Sequence, residues 1–264
     1  MTQVDKLSAA RQKLKESGKS PVALGKAAKL LVLTWIYLWG FSSAFVLLAL
    51  LSRTSGGYAQ RLVRQGLLVE TKTASGTPKY FYTLSEAGLR LAEKNTLRQV
   101  PYPELNPQRV NQRLIGHDLV VQLETLSAMQ DGWVVDFETE KSLRLKGDKA
   151  GIKRPDAAWN VKGDFRVGVE VELSPKWERD LDKFIQDLIF ALDYESNRQA
   201  AYDRIVIIFD SARSLERYKE AMKPSSTYRV WVKDHRNYWA VERVVQVPAW
   251  LTDRVEFRMV GQKE

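Results

Sequence analysis

The chain has 264 residues, enough for one large domain or two modest ones, with 44% hydrophobic and 28% charged residues. That balance can bury a core, and the absence of cysteine excludes disulfides and thiolate metal sites and suits a reducing cytoplasm. A net charge of +9 directs attention to an anionic partner, nucleic acid first, with an inert basic surface as the alternative.

The first stretch, MTQVDKLSAARQKLKESGKSPVALGKAAK, is polar and lysine-rich and lacks the apolar segment of a secretory signal. Residues 1–24 read as a flexible basic arm, whose Lys6, Arg11, Lys13, Lys15 and Lys19 can add nonspecific DNA affinity. Leu30 to Leu51 then carries no charge and is long enough to cross a bilayer. The other reading is two buried helices broken at Gly40-Phe41-Ser42-Ser43, with Ser42 or Ser43 capping the second. The segments downstream favour the buried helices, so no membrane span is expected; a membrane-tethered interaction protein is the rival.

After the turn Thr54-Ser55-Gly56-Gly57, YAQRLVRQGLL has helical spacing, with Leu62 and Leu67 inward and Gln60, Arg61 and Arg64 outward. Gly66 ends that helix. LVETKT and KYFYTL alternate as two strands joined by ASGTP, and Ser85-Glu86-Ala87-Gly88 opens a closing helix. RLVRQGLLVETKTASGTPKYFYTLSEAG resembles the recognition helix and wing of a winged helix-turn-helix domain. The resemblance implies that Gln60, Arg61 and Arg64 enter a major groove while Lys72 and Lys79 on the hairpin follow the backbone or minor groove. A winged-helix module that contacts only protein is the alternative.

NTLRQVPYPELNP, with three prolines, reads as a linker. It divides a DNA-binding domain, residues 25–98, from a second domain, residues 99–264. Pro107 to Met129 has helical spacing. GWVVDFETE and SLRL read as strands, and AAWNV and FRVGVEVEL form a hairpin around Lys162-Gly163-Asp164. Lys176 to Tyr202 reads as a long amphipathic helix, followed by strand DRIVIIFD, helix SLERYKEAM, core strand YRVWVKD and a last strand DRVEFRMV. The fold class is α/β (α+β), with a mixed sheet flanked by helices in the second half.

Within RPDAAWNVKGDFRVGVEVELSPK, strand alternation places Glu170 and Glu172 on one face and Val169, Val171 and Leu173 on the other. If the two strands pair, Asp156 comes within reach of Glu170 or Glu172. Three carboxylates form a hard oxygen set for Mg2+ or Mn2+. Ser174-Pro175 reads as a helix cap with proline in the first turn, which points Lys176 back over the acids as a phosphate or water partner. The alternative is a solvated sheet face whose acids pair with Lys153, Arg154 or Lys162.

RPDA followed by VEVELSPK resembles the PD-(D/E)xK nuclease motif of restriction-endonuclease-like domains. Glu172 stands where that family carries lysine, so Lys176 has to supply the cation. A winged helix joined to such a domain is similar to the replication-relaxation family and the MobC-type plasmid relaxases, over most of the chain after about Lys26. The resemblance implies a plasmid mobilisation relaxase that nicks one strand at a transfer origin, with Asp156, Glu170, Glu172 and Lys176 at catalytic positions and Asp156, Glu170 and Glu172 on the metal. Its partners would be double-stranded plasmid DNA, the nicked single strand, and accessory mobilisation and coupling proteins. A winged-helix regulator or accessory protein with a catalytically degenerate nuclease fold is the alternative.

His117 shares a helix face with Leu114, Val121 and Glu124. It reads as a core histidine or, from the family's habit of placing a histidine in this helix, as a metal ligand or proton carrier. Glu124, Glu138 and Glu140 are candidate accessory acids. The loop RLKGDKAGIKR offers Arg144, Lys146, Lys149, Lys153 and Arg154 to a phosphate backbone, or to solvent alone. Of Tyr80, Tyr82, Tyr194, Tyr202 and Tyr218, none is singled out as a nucleophile.

Overall fold

The computed structural model describes residues 18, 20–100, 103–145, 154–193 and 200–261. The chain separates into two compact units, Met1–Gln112 and Arg113–Glu264. The boundary lies later than the expected 98/99 because the proline-rich segment is tied to the first unit. Val100 N–H donates to Tyr37 Oη at 2.7 Å, and Ala74 N–H to Gln112 Oε1 at 3.1 Å. Lys6, Arg11, Lys13, Lys15 and Lys19 of the arm lie outside the described residues, and the arm's last residues already belong to a helix.

That helix, α1 (Pro21–Trp39), starts where Ser20 accepts from Ala23 N–H at 3.2 Å and proline occupies the first turn. Gly40 ends it at φ 87, a conformation that disfavours any residue with a Cβ. β1 (Ser42–Ser43) follows, and Ser43 caps α2 (Ala44–Leu50) through Val46 N–H. The chargeless stretch therefore does not form one continuous helix; it breaks at the expected residues. α1 is also the one helix among the described residues with the length and apolarity of a membrane span, and its last turns bury Trp35, Ile36 and Tyr37. Each such side chain contributes about 1.5–3 kcal/mol of burial.

α3 (Tyr58–Arg64) leads through Gly66, at φ 69, into β2 (Leu68–Lys72), which pairs antiparallel with β3 (Tyr80–Leu84). β1 completes the sheet in the order β1-β3-β2. α4 (Glu86–Glu93), capped by Ser85, lies close against the start of β2. A Cβ on Gly88 would sit 2.1 Å from Leu67 O, so only glycine permits that approach.

In the second unit, a 3-10 turn at Pro107–Arg109 and residues to Gln112 having been left behind, α5 (Ile115–Gln130) opens the fold. β4 (Val134–Thr139) follows. The expected strand SLRL is instead helical, in α6 (Glu140–Leu145), because Thr139 Oγ1 accepts from Ser142 N–H at 3.2 Å and caps a turn. β5 (Ala157–Val161) and β6 (Phe165–Glu172) form the expected hairpin, with Ala157 opposite Val169.

α7 (Glu178–Leu192) begins two residues later than Lys176. Lys176 N–H donates to Tyr218 Oη at 3.0 Å, which holds that residue outside the helix, and Trp177 takes the extended cap position. β7 (Arg204–Phe209) pairs parallel with β6, and α8 (Ala212–Ala221) follows it. YRVWVKD is a strand that adds Tyr228 and Val230 to the hydrophobic core, but it stands outside the main sheet. It forms β8 (Thr227–Lys233), paired with β9 (Trp239–Gln246) in a separate sheet packed on α7. After α9 (Leu251–Arg254), β10 (Val255–Met259) takes the place beside β7, in parallel register from Val255 and Ile205 onward. The main sheet runs β10-β7-β6-β5-β4, mixed in direction, so the protein is α+β with mixed and antiparallel sheets. Its core joins Phe184, Ile185 and Leu188 of α7 to Ile205, Ile207 and Phe209 of β7 and to Tyr218.

Candidate active site at the end of β6

The β5–β6 ladder ends at Ala157 opposite Val169, and Asp156 forms a bend just before it. Asp156 N–H donates to Val169 O at 2.9 Å, and Asp156 Oδ2 accepts from Val171 N–H at 2.8 Å. These bonds hold Asp156 beside Val169 and Val171 of β6. Glu170 and Glu172 follow on the same strand face, 2% and 4% exposed. Carboxylates this far from water require hydrogen bonds, cations or a metal around them.

Asp156 and Glu172 meet that requirement in different ways. Asp156 Oδ2 lies 3.3 Å from His117 Nε2, which also reaches Val171 O at 3.1 Å. The other ring nitrogen, Nδ1, lies 3.0 Å from Asp118 Oδ1. Carbonyl and carboxylate oxygens only accept, so the ring satisfies all of them when both nitrogens carry protons. Burial favours the neutral imidazole, but hydrogen bonds and charge from Asp118 and Asp156 outweigh it and raise the pKa from 6.5 to about 10. His117 is therefore a cationic clasp on Asp156, with no lone pair left for a metal while that clasp holds. Leu114, expected on the same buried face, is exposed.

Glu172 bonds Lys176 Nζ through Oε1 and accepts from Tyr218 Oη through Oε2 at 3.1 Å. Tyr218 is wholly buried, and burial followed by the Glu172 charge raises its hydroxyl pKa. Lys176 Nζ also lies 4.6 Å from the centre of the Phe184 ring. Lys176 reaches the acids as expected, but from an extended segment rather than from a helical turn.

The three expected metal ligands do not act as one cluster. Among the described residues, no three His, Asp or Glu side chains gather closely enough to hold a metal. Glu172 is committed to Lys176 and Tyr218. Asp156, bonded to Val171 N–H, and Glu170, the residue before Val171, are carboxylates of the right chemistry, since Mg2+ is often held by one or two carboxylates with water and substrate phosphate completing its shell.

The other expected acids are engaged elsewhere. Glu124 Oε1 accepts from Gly261 N–H at 2.8 Å, anchoring the chain after β10, and burial raises its pKa. Glu138 pairs with Arg166 at 3.3 Å, and Glu140 with Arg154 at 3.5 Å. Arg154 thus braces α6, and neither it nor Lys162 is the cation found on Glu172. Arg144 is exposed at the end of α6; Lys146, Lys149 and Lys153 lie outside the described residues.

In the first unit, Arg61 and Arg64 are exposed on α3, and Lys72 and Lys79 are exposed beside the hairpin tip. Gln60 is not free to read a base, because its amide donates to Tyr82 Oη at 2.7 Å and to Glu70 at 3.4 Å. Arg53, overlooked in the sequence, adds an exposed cation 4.4 Å from the Tyr58 ring at the start of α3. Asp118 and Tyr218 were also overlooked as site residues. Asp118 adjoins a histidine and was within reach of inspection; Tyr218 carries no local signal. Tyr82, Tyr202 and Tyr218 are buried, and Tyr194 lies outside the described residues. No known protein family matches this chain, and neither does any curated protein or solved structure.

Proposed function

We propose that the protein is a metal-dependent DNA nickase of the plasmid mobilisation-relaxase kind, in which the first unit is a winged-helix reader of a transfer origin and the second a PD-(D/E)xK-type nuclease core. The observation that carries this reading is that Asp156, bonded to Val171 N–H, and the buried Glu170 stand at the same end of β6 where Glu172 holds Lys176. The order α5-β4-α6-β5-β6-α7-β7, three antiparallel strands followed by a helix and a parallel strand, supports the nuclease-type core. Three helices, a hairpin carrying two lysines and a closing helix support the winged-helix reader.

Asp156 and Glu170 would hold a Mg2+ or Mn2+ ion, which when bound polarises a phosphodiester and lowers the pKa of a coordinated water. The chain's own groups do the rest. His117 fixes the Asp156 carboxylate through Nε2–H. Tyr218 and Glu172 hold the Lys176 ammonium at the strand end, where it offers a cation to a phosphate oxygen as negative charge develops.

With Mg2+ or Mn2+, the protein converts a supercoiled plasmid carrying its cognate origin to the open-circular form, and Asp156→Ala abolishes the conversion. A specific observation favours a second reading, a DNA-binding regulator on a degenerate nuclease fold: glutamate stands at the motif's lysine position and is neutralised within the chain. A plasmid left intact with either metal, but still bound at its origin, selects the regulator.

A further inference from the structure

The start of α7 is bordered by two exposed indoles, each backed by a cation. Trp177, the residue before α7, is 62% exposed, and the Arg217 guanidinium of α8 lies 3.4 Å from the centre of its ring. Trp239, at the start of β9, is 48% exposed, with Arg179 of α7 at 4.7 Å and Lys233 of β8 at 5.5 Å from its ring centre. Soluble proteins rarely leave two tryptophans at a surface without a partner, because each ring loses burial there. Both rings keep exposed surface that a second flat group can cover.

The charge around these rings selects the partner. The Arg217 guanidinium holds a positive charge against the Trp177 ring, which favours an anionic polymer nearby. The β8–β9 hairpin carries Arg229, Lys233, Arg236 and Arg243 against Asp234 and Glu242. Of the nearby acids, Asp182 is consumed internally, accepting from Arg229 Nε at 2.7 Å and from Trp231 Nε1 at 2.9 Å. Asp180 meets Arg179 only at 3.5 Å on the surface, a pairing of little strength. Flat apolar rings set among cations match a polymer with flat bases and an anionic backbone. A duplex hides its base faces, whereas a single strand presents them.

We propose that Trp177 and Trp239, with Arg217, Arg179 and Lys233, form a stacking track for single-stranded DNA that runs beside the acidic end of β6. Lys176 immediately precedes Trp177 and holds Glu172, so a base stacked on Trp177 brings its phosphate next to the candidate site. The polymer is named with the help of the proposed nickase function; the track itself stands on the indoles and their cations.

The test measures fluorescence anisotropy of the full chain with labelled oligothymidine of about 16 nucleotides, and with a duplex of equal length, in EDTA so that no strand is cut. The parent binds the oligothymidine, and Trp177→Ala with Trp239→Ala weakens that binding on the order of 100-fold while duplex affinity changes less than about threefold. Trp177→Phe with Trp239→Phe keeps most of the affinity, and both variants match the parent by circular dichroism. Oligothymidine affinity unchanged in the alanine variant, or falling in parallel with duplex affinity, overturns the track. So does a dimer that dissociates on loss of the indoles with DNA binding unaltered, which assigns the surface to a protein partner. Indole-dependent binding by a chain that never nicks retires the enzyme and keeps the track. Nicking with indole-independent binding does the reverse.

Discussion

In each unit a tyrosine hydroxyl from the buried core donates to a glutamate. Tyr82 meets Glu70 at 2.8 Å in the first unit, and Tyr218 meets Glu172 at 3.1 Å in the second. The third member differs. In the first unit it is the Gln60 amide, a neutral group whose donors are both spent inside the network. In the second it is the Lys176 ammonium, a charge on a flexible stem that is part-exposed at a strand end. The amide completes a structural lock joining α3 to the sheet. The ammonium makes a pair that an incoming phosphate can compete for. A buried polar network therefore signals function less by its burial than by whether its last partner can be exchanged.

The largest effect expected from this difference is on nicking. Lys176→Met should slow conversion of supercoiled to open-circular plasmid by about 100-fold, the scale of removing one group that stabilises developing charge. Gln60→Leu should leave the initial rate at saturating protein within a small factor. Equal losses in the two variants would erase the distinction between lock and exchangeable pair.

A smaller effect separates the hydroxyls themselves. Tyr82→Phe and Tyr218→Phe each remove a hydroxyl that makes two hydrogen bonds and should each cost about 1–3 kcal/mol in urea unfolding. Only Tyr218→Phe should also reduce nicking, because it alone loosens the residue that positions Lys176. If Tyr218→Phe unfolds at lower urea but nicks at the parental rate, the hydroxyl is structural in both units.

The smallest and most gradual effect is in pH dependence. His117 has its pKa raised from 6.5 to about 10, so the stability it contributes is fully present below pH 6.5 and is lost as pH rises through about 10. In EDTA, the melting temperature of His117→Gln should fall furthest below the parent at the acidic end of this window, and the gap should close toward its alkaline end. A gap that stays constant across the window would mean that the ring acts by packing rather than by charge.

Much of the site was legible because it depends on period two and one turn. Alternation through VGVEVEL places Glu170 and Glu172 together, and Lys162-Gly163-Asp164 reverses the chain so that Asp156 returns beside Val169 and Val171. The first unit was legible for a similar reason, since Gly40, Ser43, Gly66 and Ser85 mark helix and strand ends through local caps and left-handed turns, whereas the Ser20 cap fell within the segment read as a flexible arm. SLRL was misread because four residues of alternating apolarity fit strand and helix alike, and the Thr139 cap settled it. YRVWVKD does bury Tyr228 and Val230 in the core, but its pattern says only that one face is buried, not against which element, and the place beside β7 belongs to β10.

The amino-acid sequence by itself determined the secondary elements with strong periodicity, the acidic face of β6 and the basic, tryptophan-bearing composition, all consequences of neighbours a few residues apart. Tertiary structure alone decided who neutralises whom. Glu172 is met by Tyr218 from α8, and His117 reaches from α5 to Asp156 and Val171. Those contacts span long loops of chain, and no local pattern encodes them, because a side chain's hydrogen-bond partner is set by the packing of whole elements rather than by spacing along the chain.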